Sequence, residues 1–320
     1  MAPFSEEPAV ERVSYPSADG SSTVCARIWR PASATADPRG VVQIVHGMSE
    51  HMGRYDAFVR FLADQGFLVC GEDHVGHGET APSEGDLGHI PVRRGEDVLL
   101  SDVHALRERI MSSVDPSTPY ILFGHSLGSF ITRVYLTRHG RGVSAAILSG
   151  TGQQSRALTL AGRALPRLIA LVRGERHHSP LVHALGAGAY GKAIANARTE
   201  FDWLSHDRGV VDAYIADPRC GMMFTVGGYA AVADLADDSQ RMGLARGIPR
   251  DTPILLIGGA EDPVGDLGRG VSRAAEEYRK AGVSDVEVKL YPGTRHEVLN
   301  EPVAREAMDD ILSWLDRHEL

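Results

Sequence analysis

Gly124-His125-Ser126-Leu127-Gly128 joins a strand-like run to a helix-like run, and that junction limits what the chain can fold into. Upstream, Tyr120-Ile121-Leu122-Phe123 is a short apolar run after Pro119, rich in aromatic and β-branched residues, which predicts a buried strand. Downstream, Leu127, Phe130, Ile131, Val134 and Tyr135 recur at i, i+3, i+4, i+7 and i+8, one face of a helix. A serine at such a corner is lifted off the sheet with strained backbone angles. Glycines flank it because side chains there would collide with neighbouring backbone.

The pentapeptide alone turns up by accident about one time in ten in a chain of this length, so its meaning depends on partners. A serine nucleophile at a strand-to-helix corner needs an acid and then a histidine, in that order, on loops after later strands. Pro253-Ile254-Leu255-Leu256-Ile257 reads as a buried strand and runs into Gly258-Gly259-Ala260-Glu261-Asp262-Pro263, which places Asp262 in the loop at its end. Val286–Tyr291 alternates like a half-buried strand and leads through Pro292-Gly293-Thr294-Arg295 to His296. Asn300-Glu301-Pro302 then opens the last helix. A fourth component comes from Val41-Val42-Gln43-Ile44-Val45, a strand ending in His46-Gly47-Met48. There the backbone N–H groups of Met48 and Leu127 would converge on a carbonyl oxygen held at Ser126.

The 320 residues alternate strands and helices, which argues for one elaborated α/β domain. Hydrophobic content of 43% and charged content of 23% are those of a soluble globular protein. A net charge of −9 would repel a phosphate backbone, so no nucleic-acid partner is expected. Glu6, Glu7 and Glu11 stand where a signal peptide would carry basic and apolar regions. Cys25, Cys70 and Cys220 form neither an even set nor a C-x-x-C pair, which fits small core residues in a reducing cytoplasm. Monomer and small homo-oligomer both remain open.

The core strands expected before residue 150 and after residue 253 are too far apart for a simple βαβ crossover of ~30 residues. The excess, residues 151–240, reads as an inserted cap between core segments 1–150 and 241–320. Between residues 151 and 200, seven basic residues oppose only Glu175 and Glu200, interleaved with Leu158, Leu160, Leu165, Leu168, Ile169, Leu171 and Val172. Two readings stand: a helical cap with its apolar face on the core and a solvated basic face, or an interfacial surface whose arginines, from Arg156 to Arg176, meet anionic lipid. Met222, Met223 and Phe224 either line an acyl channel or fill the cap's own core.

His125 reads as a histidine packed under the turn, since adjacent residues on an elbow diverge. His46, Asp73, His74 and His77 lack any metal-ligand spacing, so no metal is expected. Glu50 and Arg54 are expected to brace the loop that carries Met48. Neither G-x-G-x-x-G after a strand nor G-x-x-x-x-G-K-[ST] occurs, and the chemistry of such a triad needs no cofactor.

The chain resembles the monoacylglycerol lipase and lysophospholipase group of α/β-hydrolases from about Val41 to Trp314. The likeness is carried by His46–Tyr55, Asp73–Gly78, the Gly124–Gly128 elbow, Trp203–Asp207 with Val211–Tyr214 and Asp217-Pro218, Gly259–Val264, and Tyr291–Glu297. It implies the α/β-hydrolase fold, a mostly parallel central sheet flanked by helices, with an inserted helical cap. It further implies Ser126, Asp262 and His296 as a triad, Met48 and Leu127 as oxyanion donors, and a single-chain lipid ester as substrate. Members of the group hydrolyse monoacylglycerols, lysophospholipids and simple carboxylic esters. Two remoter readings share the scaffold: amide cleavage, which wants an acidic receptor for a free amine that the sequence does not reveal, and a non-catalytic binding protein.

Overall fold

The computed structural model describes residues 10–31 and 37–320. Eight strands form one sheet: β1 (Val10–Pro16), β2 (Thr23–Trp29), β3 (Val41–Val45), β4 (Leu68–Asp73), β5 (Tyr120–His125), β6 (Ala145–Ser149), β7 (Ile254–Gly259) and β8 (Val286–Tyr291). Their spatial order is β1-β2-β4-β3-β5-β6-β7-β8. β2 pairs antiparallel with both β1 and β4, and every other pairing is parallel. The four central strands β3, β5, β6 and β7 are apolar at nearly every position and wholly buried, as strands covered on both faces must be.

Helices α1 (Asp56–Asp64), α2 (Gly95–Met111) and α3 (Leu127–His139) follow β3, β4 and β5. Between β6 and β7 run α4 (Arg156–Arg173), α5 (Pro180–Leu185), α6 (Gly188–Lys192), α7 (Arg208–Ala216), α8 (Val226–Asp238) and α9 (Met242–Ala245). Helices α10 (Arg269–Ala281) and α11 (Ala304–Arg317) flank β8. One apolar layer joins the sheet to α2, α3, α8 and α10, and the opposite layer joins it to α1 and α11. Because the parallel strands share one direction, the loops after β3, β5, β7 and β8 emerge along the same edge. That edge is where an open α/β sheet gathers functional side chains.

Two of the four arginines of α4 depart from the lipid-facing reading. Arg163 bonds Asp237 at 2.6 Å and Asp234 at 2.9 Å, and Arg167 also pairs with Asp234. Both therefore face α8, because three carboxylates there offer a nearby countercharge. The outward side of α4 is apolar instead: Leu168, Leu171 and Val172 are 61%, 84% and 82% exposed.

The elbow is held by close backbone packing. A β-carbon on Gly128 would run into the Val45 carbonyl, and one on Gly124 would run into the Gly128 carbonyl and the Thr132 hydroxyl. These obstacles belong to the sheet or to the first two turns of α3, so none can move cheaply. Gly128→Ala is expected to lower unfolding free energy by ~1–3 kcal/mol; an unchanged denaturation midpoint would show the packing to be looser than this.

Candidate active site

Ser126 stands between β5 and α3 with φ 53° and ψ −118°, a backbone conformation that non-glycine residues seldom adopt. Its amide donates to the Ser149 carbonyl on β6 at 2.9 Å, which ties the strained residue to the sheet. The N-terminus of α3 lies directly behind it, so the helix dipole favours negative charge at this corner.

Asp262 and His296 come together from the loops after β7 and β8. The His296 Nδ1–H donates to Asp262 Oδ2 at 2.9 Å, and the Val264 amide donates to Oδ1 at 2.8 Å, so both carboxylate oxygens are oriented. With the proton on Nδ1, His296 Nε2 carries its lone pair, and it is buried without a protein partner. Ser126 and His296 line the same cavity. Burial depresses the affinity of His296 for a proton, but the Asp262 charge and hydrogen bond, assisted by Glu297 and Glu50, leave it net raised above the ordinary imidazole value. Of the other carboxylates of that loop, Asp266 is engaged by Arg269 and Arg273, and Glu261 pairs with His206.

The amides of Met48 and Leu127 flank Ser126 on the loops after β3 and β5, and neither donates to a protein acceptor among the described residues. Glu50 holds the first of these loops, as the sequence suggested. It accepts hydrogen bonds from the Gly47 amide, from Tyr55 Oη at 2.7 Å and from Arg54 at 2.9 Å. Arg54 also bonds both oxygens of Glu297, at 2.5 and 2.7 Å, joining the Met48 loop to the His296 loop. No local pattern could have revealed that long-range pair.

The histidines near the site are committed to structure. His46 donates from Nδ1 to the Gly47 carbonyl and accepts the His74 amide at Nε2. His77 donates to Val75 and accepts the Ser49 amide, and burial followed by the neighbouring His74 drives its pKa down to about 3. His125 packs against His296 with ring centroids 4.8 Å apart, and burial, then His296, lowers its pKa to about 4. It stays neutral beside the base. Asp73 accepts the amides of Met52 and Glu79, so it too braces loops.

The cavity has a volume of about 90 Å³, well below the 300–1,000 Å³ of common ligand pockets. Phe130, Tyr190, Phe201, Trp203 and Tyr214 supply much of its wall. Of the three residues left open between channel and core, Met222 lines this cavity and also borders a separate surface groove, Met223 lies in that groove, and Phe224 is fully buried against His77 and Tyr229. The difference lies in side-chain direction along an irregular segment, which residue type does not encode. Trp203 is the participant sequence reasoning left without a role: its ring lies 4.9 Å from that of His296, and its carbonyl accepts the His296 amide.

A family model described as serine aminopeptidase, S33, matches residues 36–303. The chain belongs to that family of serine hydrolases. A monoacylglycerol lipase of Mycolicibacterium smegmatis is 32% identical over 91% of this chain and 92% of its own length. The human monoglyceride lipase is 27% identical over 94% and 88%. A thermostable carboxyl esterase from Bacillus coagulans, solved in complex with glycerol, superposes with a TM-score of 0.88 at 31% identity, covering 98% of this chain and 99% of that one. The enzyme is thus a monoacylglycerol lipase-like α/β-hydrolase, as its motifs implied.

The raised proton affinity of His296 is directly measurable. In NMR titration its imidazole should protonate above the ordinary value near 6.5, and Asp262→Asn should move the midpoint downward, because burial then acts without the carboxylate. A midpoint unmoved by that substitution would show that another charge governs the ring.

Proposed function

We propose that Ser126, His296 and Asp262 form a catalytic triad that hydrolyses neutral single-chain acyl esters, monoacylglycerol foremost. The observation that carries the reading is the buried His296–Asp262 hydrogen bond, with Nε2 left unpaired in the cavity that Ser126 lines. Ser126 Oγ attacks the ester carbonyl while His296 Nε2 takes its proton. The Met48 and Leu127 amides donate to the oxyanion, and the imidazolium, stabilised by Asp262, then protonates the leaving alcohol. Water activated by His296 Nε2 releases the fatty acid from Ser126. No step requires a cofactor.

The wall of the cavity discriminates among head groups. Glu50, Glu200 and Glu297 line it, and no lysine or arginine does so among the described residues. Arg54 offsets part of the charge of Glu50 and Glu297, but a net negative charge remains, so a phosphate head group would meet like charge and no cationic donor on the wall, whereas glycerol hydroxyls can donate to carboxylates. This supports monoacylglycerol over lysophospholipid. Glu200, which makes no ion pair among the described residues, also gives the amide-cleavage reading the acidic receptor that the sequence did not reveal.

Residues 151–240 act in this reading as the cap, with α9 extending the insert to Ala245. A cavity of about 90 Å³ accepts a short acyl group as it stands, so long chains require the cap to move. The same smallness favours a short-chain carboxylesterase as the second reading.

Lipid contact falls to the apolar side of α4 and α5. Leu168, Leu171 and Val172 lie with Leu181 and Leu185 on exposed positions, and His183 of α5 lines the cavity. Burying one Leu or Val is worth ~1.5–3 kcal/mol, against ~1 kcal/mol for a basic residue near an anionic surface. Apolar insertion therefore dominates. Leu171→Glu with Val172→Glu should abolish sedimentation with neutral phosphatidylcholine vesicles and leave p-nitrophenyl acetate hydrolysis unchanged. Binding that instead follows vesicle charge and salt would return the role to the arginines, and a concentration-dependent dimer lost in the variant would assign the face to a second copy.

The chemistry is tested with lipids of one chain length. Monoacylglycerol should exceed lysophosphatidate in kcat/KM by tenfold or more, with lysophosphatidylcholine also below monoacylglycerol. Ser126→Ala should lose on the order of 10⁴–10⁶ in turnover. Equal rates on the anionic lipid would overturn the head-group assignment; a folded, active Ser126→Ala enzyme would overturn the triad.

A further inference from the structure

The loop that carries the Met48 amide is fastened from above as well as from below. Ser49, buried and held at φ 58°, spends all three of its polar groups in hydrogen bonds. Its amide donates to His77 Nε2 at 3.3 Å, within the core. Its carbonyl accepts the Gly221 amide at 3.0 Å, and its hydroxyl donates to the Met222 carbonyl at 2.9 Å. The latter two partners belong to the insert between β6 and β7. Two residues further on, His51 repeats the connection. Its Nδ1 accepts the Gly53 amide, which places the ring proton on Nε2, and that proton is donated to Asp217 Oδ2 at 3.0 Å.

Asp217 is itself held in place. Its carboxylate accepts the Arg219 amide at 2.9 Å and the Arg219 guanidinium at 3.1 and 3.2 Å, and its carbonyl accepts the Cys220 amide at 3.0 Å. The turn 217–222 is thus a preformed unit. Gly221 within it has φ 70°, and a β-carbon there would press on Phe201 and Tyr214, so the turn reaches Ser49 only with glycine at this position. His51, Asp217 and Cys220 present nitrogen, oxygen and sulfur donors close together. The tautomer of His51 argues against a metal there, because both ring nitrogens are already used, one as acceptor and one as donor.

We propose that Asp217 is a positioning residue for the oxyanion hole: through His51 and the Gly221–Ser49 contact, the docked 217–222 turn sets the direction of the Met48 N–H. This rests on the assignment of Met48 as an oxyanion donor given above. Its physical basis is that a φ of 58° at Ser49 is unfavourable for a non-glycine residue and persists only where neighbouring bonds over-determine it. With the turn undocked, Ser49 relaxes, and the preceding peptide, whose carbonyl side leads back to Met48, rotates with it. Insert docking and oxyanion binding are then one equilibrium.

The test separates transition-state from ground-state affinity. Asp217→Ala and Ser49→Ala are each compared with wild type, with folding checked by circular dichroism and thermal melting. Asp217→Asn serves as the conservative variant, since its amide oxygen still accepts from His51. Three readouts are taken: kcat and KM on a soluble ester, Ki for an alkyl trifluoromethyl ketone that forms an oxyanion adduct on Ser126, and Ki for the matching secondary alcohol that cannot. A misdirected donor should cost about tenfold or more in kcat and in ketone affinity, with KM and alcohol affinity within twofold, and Asp217→Asn should restore most of the loss. Equal weakening of ketone and alcohol would mean only a loosened pocket, and unchanged ketone affinity in both folded alanine variants would mean the turn does not set the donor; either overturns the proposal. Ser126→Ala run in parallel keeps the outcomes apart: if that variant stays active, the triad reading has failed rather than this one.

Discussion

Arg54 is the interaction on which the site depends. Its guanidinium lies between Glu50 and Glu297, and all three side chains are almost wholly removed from water. Two carboxylates on one cation leave a buried excess of negative charge, and both are among the groups that raise the proton affinity of His296. The same bonds fix geometry, since Glu50 holds the Gly47 amide and Glu297 follows the histidine in the chain. Breaking a buried pair by deleting one partner typically costs about 3–5 kcal/mol. Deleting Arg54 would leave two such carboxylates without a countercharge, so the cation is as much a structural requirement as a charge near the reaction.

Strain and preorganisation are linked here. Ser126 and Ser49 both occupy positive φ, one at the proposed nucleophile and one beside a proposed oxyanion donor. Each is countered by bonds from rigid neighbours: the Ser149 carbonyl for Ser126, His77 and the 217–222 turn for Ser49. The sheet supplies the first restraint permanently. The insert supplies part of the second, and only while it is docked.

The proposed catalytic constellation was legible because its logic is local: each residue follows a short apolar strand, and the strand order fixes which loops share an edge. Val41–Val45 and the runs leading to Ser126, Asp262 and His296 each announce themselves by composition. What stayed hidden depends on direction or distance. Arg54 meets Glu297 across most of the chain, which no window of residues can show. On α4 the pattern of arginines and leucines reads identically whichever face is turned inward, and the carboxylates Asp234, Asp237 and Asp238 that decide the matter lie on α8. Met222, Met223 and Phe224 are alike in type and part company only because an irregular backbone sends Met222 to the cavity, Met223 to a surface groove that Met222 also borders, and Phe224 into the core.

The inverted orientation of α4 gives the small cavity a physical meaning. Placing arginines toward α8 and leucines toward solvent is unfavourable in water, and it persists because Arg163 and Arg167 find Asp234 and Asp237 there. At a lipid surface the exposed leucines lose their disadvantage, while the ion pairs with α8 stay intact. On the proposed lipid contact, a membrane would change the environment of the insert without needing to break its attachment to α8. The segment between α4 and α8 carries both the cavity wall at Tyr190, Phe201 and Trp203 and the turn that fastens Ser49. On these proposals, admission of a long acyl chain and direction of the Met48 amide would draw on the same stretch of chain.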